Sequence, residues 1–186
     1  MNLSHYFIAI PLSEQWKQWL AVRQSEIKRQ LPYKQWTHRD DLHVTMKFLG
    51  PVADSDLDML LEQLHGLETI FAFHVHAGEL GTFGNPSAPR VLWTGVEKTP
   101  DLINLHQCVE AAAADAGFQP EKRPFKPHIT LAKKWNGSKM DMKPWQERYS
   151  TQHVFTVDQV TVYRIFPAQL PKYQSIRTFD LLKGNH

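Results

Sequence analysis

"RPFKPHITLAKK", residues 123–134, places His128 and Thr130 two apart in an apolar run fenced by Pro124 and Pro127. In a strand, positions i and i+2 point to one face. His128 and Thr130 would then share a face while Ile129 and Leu131 fill the other. Packing requires one apolar face, but it does not require imidazole beside hydroxyl on the opposite one. The arrangement recurs in "DLHVTMKFLG", residues 41–50, with His43 and Thr45 among Leu42, Val44 and Met46. With 10 histidines in the chain, His-x-Thr alone is weak evidence. Its weight comes from both copies lying in apolar, β-prone runs.

The elements around the two motifs are also duplicated. Residues 5–12 alternate as a strand, and Ser13 opens a helix to about residue 30 with Trp16, Trp19, Leu20, Ile27 and Leu31 roughly on one stripe. The first motif strand spans 42–49, Asp54 is expected to cap a short helix stopped at Gly66, and 71–83 reads as a long strand. "GNPSAP", 84–89, is a turn-rich connector and the expected lobe boundary. A strand at 90–96 follows, then a helix capped by Thr99, started by Pro100 and closed by Gly117. The second motif strand, a helix within 138–149, and strands near 153–166 and 173–182 complete the chain. Histidines 43 and 128 stand 85 residues apart, and the other elements repeat at nearly that offset. Two lobes, about 1–86 and 87–186, are therefore expected to face one groove across a pseudo-twofold, with exchange of strands between them left open.

Composition bounds the function. A formal charge of +2 argues against a general nucleic-acid coat, so basic function must be local, and Lys122 to Lys134 is where basic residues cluster. The lone cysteine, Cys108, excludes an internal disulfide and a cysteine-based zinc site. "MNLSHYFIAIPL" lacks a basic residue before its short apolar run and reads as a strand, not a signal peptide. No run reaches the length of a membrane span, so a reduced, cytoplasmic protein is expected.

A pair of imidazoles across a cleft suits chemistry that needs one base and one acid near neutral pH. Threonine hydroxyls on the same face can bond anionic oxygens, and nearby Lys or Arg can neutralise a phosphate. These parts suit in-line cleavage of a strained phosphodiester, and none of them requires a metal or another cofactor. With "HVTMKFLG", "GTFGNPSAPRVLWTGV" and "GFQPEKRPFKPHITLAK", the chain resembles the two-histidine (2H) phosphoesterase superfamily, in its RNA 2′,3′-cyclic phosphodiesterase (2′-5′ RNA ligase-like) branch.

The resemblance implies a bilobal α+β fold, with antiparallel-type sheets lining a central groove and helices outside. It implies hydrolysis of an RNA 2′,3′-cyclic phosphate to a 2′-phosphomonoester, without cofactor; a monomer is expected. The RNA partner is open, with tRNA fragments among the candidates. By motif position His43 resembles the proton donor and His128 the proton acceptor, with Thr45 and Thr130 holding the phosphate. Two alternatives stay open: an RNA-end-binding module without turnover, and an esterase for small cyclic phosphates.

Relatives often carry Arg five residues after the second motif histidine, where this chain has Lys133. In a regular strand that odd offset faces away from His128 unless a bulge redirects it. A further departure is Arg164, where relatives often have a small polar residue. Arg123 and Lys126 read as a phosphate-steering rim, weighed against an ordinary charged face. His74 and His76 could bind metal, but no third ligand is identifiable nearby, and a solvent-facing pair is the simpler reading. Core filling outweighs base stacking for Trp36, Phe48 and Phe125. Asp40 and Asp41 read as a solvated loop, and Cys108 as inert packing.

Overall fold

The computed structural model describes residues 3–184. Among them are nine strands: β1 His5–Pro11, β2 Tyr33–Trp36, β3 His43–Pro51, β4 Phe73–Asn85, β5 Ala88–Val96, β6 His128–Trp135, β7 His153–Val157, β8 Gln159–Ile165 and β9 Tyr173–Asp180. The α-helices are α1 Glu14–Lys28, α2 Asp54–Leu64, α3 Pro100–Asp115 and α4 Lys143–Arg148. The strands form one antiparallel sheet in the order β7-β4-β5-β6-β3-β1-β8-β9, with β2 beside the far end of β6.

The two expected sheets are thus joined, and the joint is small. The β3–β6 pairing consists of Val44 opposite Ile129, two residues that are themselves 85 apart. Beyond it β2 takes over the edge of β6, with Gln35 opposite Lys133. About this bridge the sheet repeats itself: β1 flanks β3 as β5 flanks β6, then β8 follows β1 as β4 follows β5. Consecutive halves of the chain do not make the two halves of the sheet. The 84–89 connector shrinks to a tight turn between Asn85 and Ala88, joining β4 to β5 within one half. Both halves of the chain supply strands to each half of the sheet.

Alternation assigns the faces. Ile8, Ile10, Val44, Met46, Ile129 and Leu131 are buried on one face. Helices cover that face. Trp16 of α1 donates its indole N–H to the Val154 carbonyl of β7 (3.2 Å), and Gln24 donates to the Leu131 carbonyl of β6 (3.0 Å). Helix α3 packs under β3, where the buried Lys47 ammonium pairs with Glu110 at 2.9 Å. His43, Thr45, His128 and Thr130 belong to the opposite face, the one expected to line the groove, where they are half-buried or exposed.

Helix ends follow local chemistry with two corrections. Ser13 and Thr99 cap α1 and α3, accepting from the Trp16 and Leu102 amides. Asp54 is not a cap: the N-cap of α2 is Ala53, and Asp54 is the first helical residue, a place where a carboxylate favours the helix dipole. Gly66 does not end α2 in a left-handed turn, because the chain runs on as a 3-10 helix over His65–Thr69. Gly117 does take that role after α3, with φ +89°.

Candidate active site

The central bridge decides the geometry. Because β3 and β6 run antiparallel through Val44 and Ile129, the register brings His43 opposite Thr130 and Thr45 opposite His128. Four polar side chains thereby form a rectangle on the groove face, with each imidazole across from the other motif's hydroxyl.

Both rings are fixed in the same way. His43 Nδ1 lies 2.7 Å from the carbonyl oxygen of Asp41, and His128 Nδ1 lies 2.7 Å from that of Lys126. A carbonyl can only accept, so each Nδ1 carries the proton in the neutral ring and each Nε2 keeps its lone pair for the groove. At His43 that lone pair accepts from the Thr45 hydroxyl at 2.9 Å.

Aromatic side chains hold the rings. Phe7 and Tyr173 lie 4.7 and 5.3 Å from the His43 centroid, and Phe83 packs edge-on at 4.9 Å from His128. Burial pushes the His43 pKa down to about 4; the Asp41 carbonyl and charge oppose it, while Lys133 and His128 add to it. His128 is also lowered, first by burial and further by the charges of Lys126 and Lys133.

Lys133 reaches the groove through a bulge. Between Leu92 and Trp93 of β5, the partner on β6 jumps from Ala132 to Thr130, leaving Leu131 as an extra residue. Leu131 and Ala132 are consecutively buried, and Lys133 turns to the face of His128 and Thr130. The odd offset from the histidine is thereby corrected. An identical slip leaves Met46 extra on β3, so Phe48, 57% exposed, also turns to the groove face instead of filling the core. Trp36 and Phe125 are half-buried against the core, and Phe125 stacks on His106 at 3.9 Å.

The remaining expectations divide. Lys126 stands beside His128, its Nζ over the Phe83 and Trp93 rings. Arg123 is exposed and pairs with Glu121 (3.6 Å), so the loop does not bring its guanidinium to the motifs. Asp41 is not solvated: it is 4% exposed, and its carboxylate accepts from the Lys172 amide (2.9 Å) and the Tyr173 amide (3.1 Å). Asp40 is exposed. His74 and His76 are taken by Thr156 and Glu97, at 3.1 and 3.0 Å. Among the described residues no cluster of three or more metal-ligating side chains occurs. Cys108 is half-buried on α3 beside the core, and Arg164 stacks over Phe166, 4.8 Å from its centroid. Tyr163, Tyr173, Phe83 and Trp93 were not legible as neighbours of the imidazoles, since only strand pairing brings them there.

Comparison with known proteins gives the family and the fold. A protein of Geobacillus stearothermophilus named RNA 2′,3′-cyclic phosphodiesterase is 36% identical over 98% of this chain, which spans 59% of that relative's length. One of the same name from Bacillus subtilis is 33% identical over 95% of this chain and 96% of its own. The fold is that of E. coli LigT: its complex with 3′-AMP superposes with a TM-score of 0.77, at 22% identity, covering 96% of this chain and 98% of LigT. Residues 11–165 match the 2′-5′ RNA ligase superfamily throughout, and the chain belongs to that superfamily.

Proposed function

We propose that the protein hydrolyses RNA 2′,3′-cyclic phosphate ends to 2′-phosphomonoesters by acid–base catalysis between His43 and His128. The supporting observation is the pair of imidazoles, each with Nδ1–H fixed to a main-chain carbonyl and Nε2 directed to one groove. In-line displacement needs a proton taken from water on one side of phosphorus and given to the departing ribose oxygen on the other. His128 is the base. Burial first, and then the neighbouring ammonium groups of Lys126 and Lys133, hold it neutral. His43 is the acid and protonates O3′; the charge and carbonyl of Asp41 favour its protonated form. In the free protein burial outweighs that help, so the phosphodiester anion itself must raise His43 as it binds.

Thr45, Thr130 and Lys133 hold the non-bridging oxygens. Lys126 draws the RNA end in, and Arg123 adds charge at the outer rim. Exposed Phe48, on the groove face of β3, offers a stacking surface to the terminal base. All these parts are side chains, so the reaction asks for no metal or nucleotide. Work as a monomer in the cytoplasm belongs to the same proposal, and among the described residues no helix is long and apolar enough to cross a membrane. An RNA-end-binding module would not need a paired proton donor and acceptor, which favours the enzyme.

The test is a short RNA ending in 2′,3′-cyclic phosphate, incubated with excess EDTA and followed by 31P NMR. A 2′-phosphate product is expected. A 3′-phosphate, or binding without turnover, would refute the proposal, and activity lost to EDTA but restored by a divalent ion would refute its metal-free form.

A further inference from the structure

The floor of the groove differs beside the two histidines. On the β3 side Thr45 is paired in register with Ala9 of β1, and Ala9 with Thr161 of β8. At the corresponding place on the β6 side, Thr130 is paired with Trp93 of β5, and Trp93 with Gly81 of β4. The indole lies flat over Gly81, where any Cβ would overlap the ring, and a Cβ at Gly95 would stand 3.2 Å from its Cζ3. Two glycines on adjacent strands thus make room for one indole. Phe83 extends the surface, 5.2 Å from Trp93 between centroids.

The fold does not demand this platform, because the sister half closes the same position with alanine and threonine. Lys126 lies over it, with Nζ 5.0 Å from the Trp93 centroid and 5.2 Å from that of Phe83. Beside the indole runs a cleft bounded by Gly95, Lys98, Lys126, Gln152 and two carboxylates, Glu79 and Glu97, the second of them engaged by His76.

Resting on the cyclic phosphodiesterase reading, we infer that Trp93 and this cleft are a subsite for a second nucleobase, that of the nucleotide preceding the cyclic-phosphate end. A flat aromatic face beside cations, next to a phosphate site, matches a base and the phosphate attached to it. The terminal ribose lies on the His43 side of phosphorus, where its oxygen departs, so a base reaching the His128 side belongs to another nucleotide. Base stacking on an indole outweighs an exposed ammonium–ring contact. The arriving base therefore displaces Lys126, whose ammonium turns to the internucleotide phosphate. The subsite makes the enzyme prefer oligonucleotide ends to cyclic mononucleotides.

The experiment compares kcat/KM for adenosine 2′,3′-cyclic phosphate with that for the ApA dinucleotide bearing the same end. Wild type is expected to favour the dinucleotide. Trp93→Leu should cut that preference about 10-fold or more, and Trp93→Phe should keep most of it. Wild type given a dinucleotide with an abasic first residue should lose the preference as well, an arm that holds even where a variant fails to fold. An unchanged preference in Trp93→Leu, an equal loss on both substrates, or indifference to the abasic residue overturns the subsite. Wild type turning over neither substrate removes the parent reading and the subsite together, whereas turnover of both without a preference removes the subsite alone.

Discussion

Replacing Lys133 by alanine tests the site where sequence and structure meet most sharply. The bulge at Leu131 turns the ammonium to the groove face beside Thr130, and its charge lowers the pKa of both imidazoles. Two consequences follow from one deletion. A hydrogen bond to a charged group is worth about 1.5–3 kcal/mol, so kcat/KM should fall roughly 10- to 150-fold if Lys133 holds the phosphate. Both histidines should also titrate at higher pH, because a nearby positive charge has gone. Lys133→Arg keeps the charge and adds a planar fork, so it should remain active and leave the imidazoles low. Steady-state kinetics from pH 5 to 8, with 15N NMR titration of the imidazoles, reads both effects. Wild-type kinetics together with unmoved titrations in Lys133→Ala would mean that the bulge does not deliver the charge to the site.

Three further perturbations bear on the same frame. His43→Ala and His128→Ala should each lower kcat by roughly 10²–10⁴, while the double variant loses far less than the product, since the pair acts as a unit; near wild-type turnover in a folded His128→Ala protein would end the mechanism. His43 has a folded-state pKa of about 4 against an ordinary 6.5, so the unfolded chain binds its proton first. The stability it contributes is full above pH 6.5 and is lost as pH falls towards 4, up to about 3 kcal/mol, and urea denaturation of wild type against His43→Gln should show the difference. Asp41→Ala strands the Lys172 and Tyr173 amides, and a loss of about 2–4 kcal/mol is expected, with kcat reduced because Tyr173 packs on His43; unchanged stability would show that water replaces the carboxylate.

The repeat was legible because it is written in periodicity. Apolar alternation and the caps at Ser13 and Thr99 are local signals, and they located the strands that carry both motifs. What depends on strand pairing was not legible. The four-residue β2 has too little pattern to announce itself, and its place beside β6 follows from a long-range register. The bulges at Met46 and Leu131 show only when the facing strand is known, so Phe48 reads as core and Lys133 as misdirected. Asp41 looks solvated because the amides that bury its carboxylate lie about 130 residues further on.

The pseudo-twofold also separates what the two halves do alike from what they do differently. In-line displacement is nearly symmetric about phosphorus: one proton leaves the entering oxygen and another joins the departing one. A frame that presents two equivalent imidazoles, each tied through Nδ1 to the carbonyl two residues before it, supplies that symmetry directly. The substrate is not symmetric. It carries a sugar on one side of phosphorus and water on the other, with its charge on the non-bridging oxygens. The frame reads those differences where the equivalent positions diverge. Five residues past each histidine, turned inward by matching bulges, stand exposed Phe48 on one strand and Lys133 on the other. One offers a stacking face and the other an ammonium. Exchanging them, Phe48→Lys with Lys133→Phe, preserves composition, net charge and bulges, so the fold should persist. The phosphate would then lose its cation beside Thr130, and turnover should fall at least as far as in Lys133→Ala. Retained activity would show that the groove needs a cation somewhere, but not on a particular side.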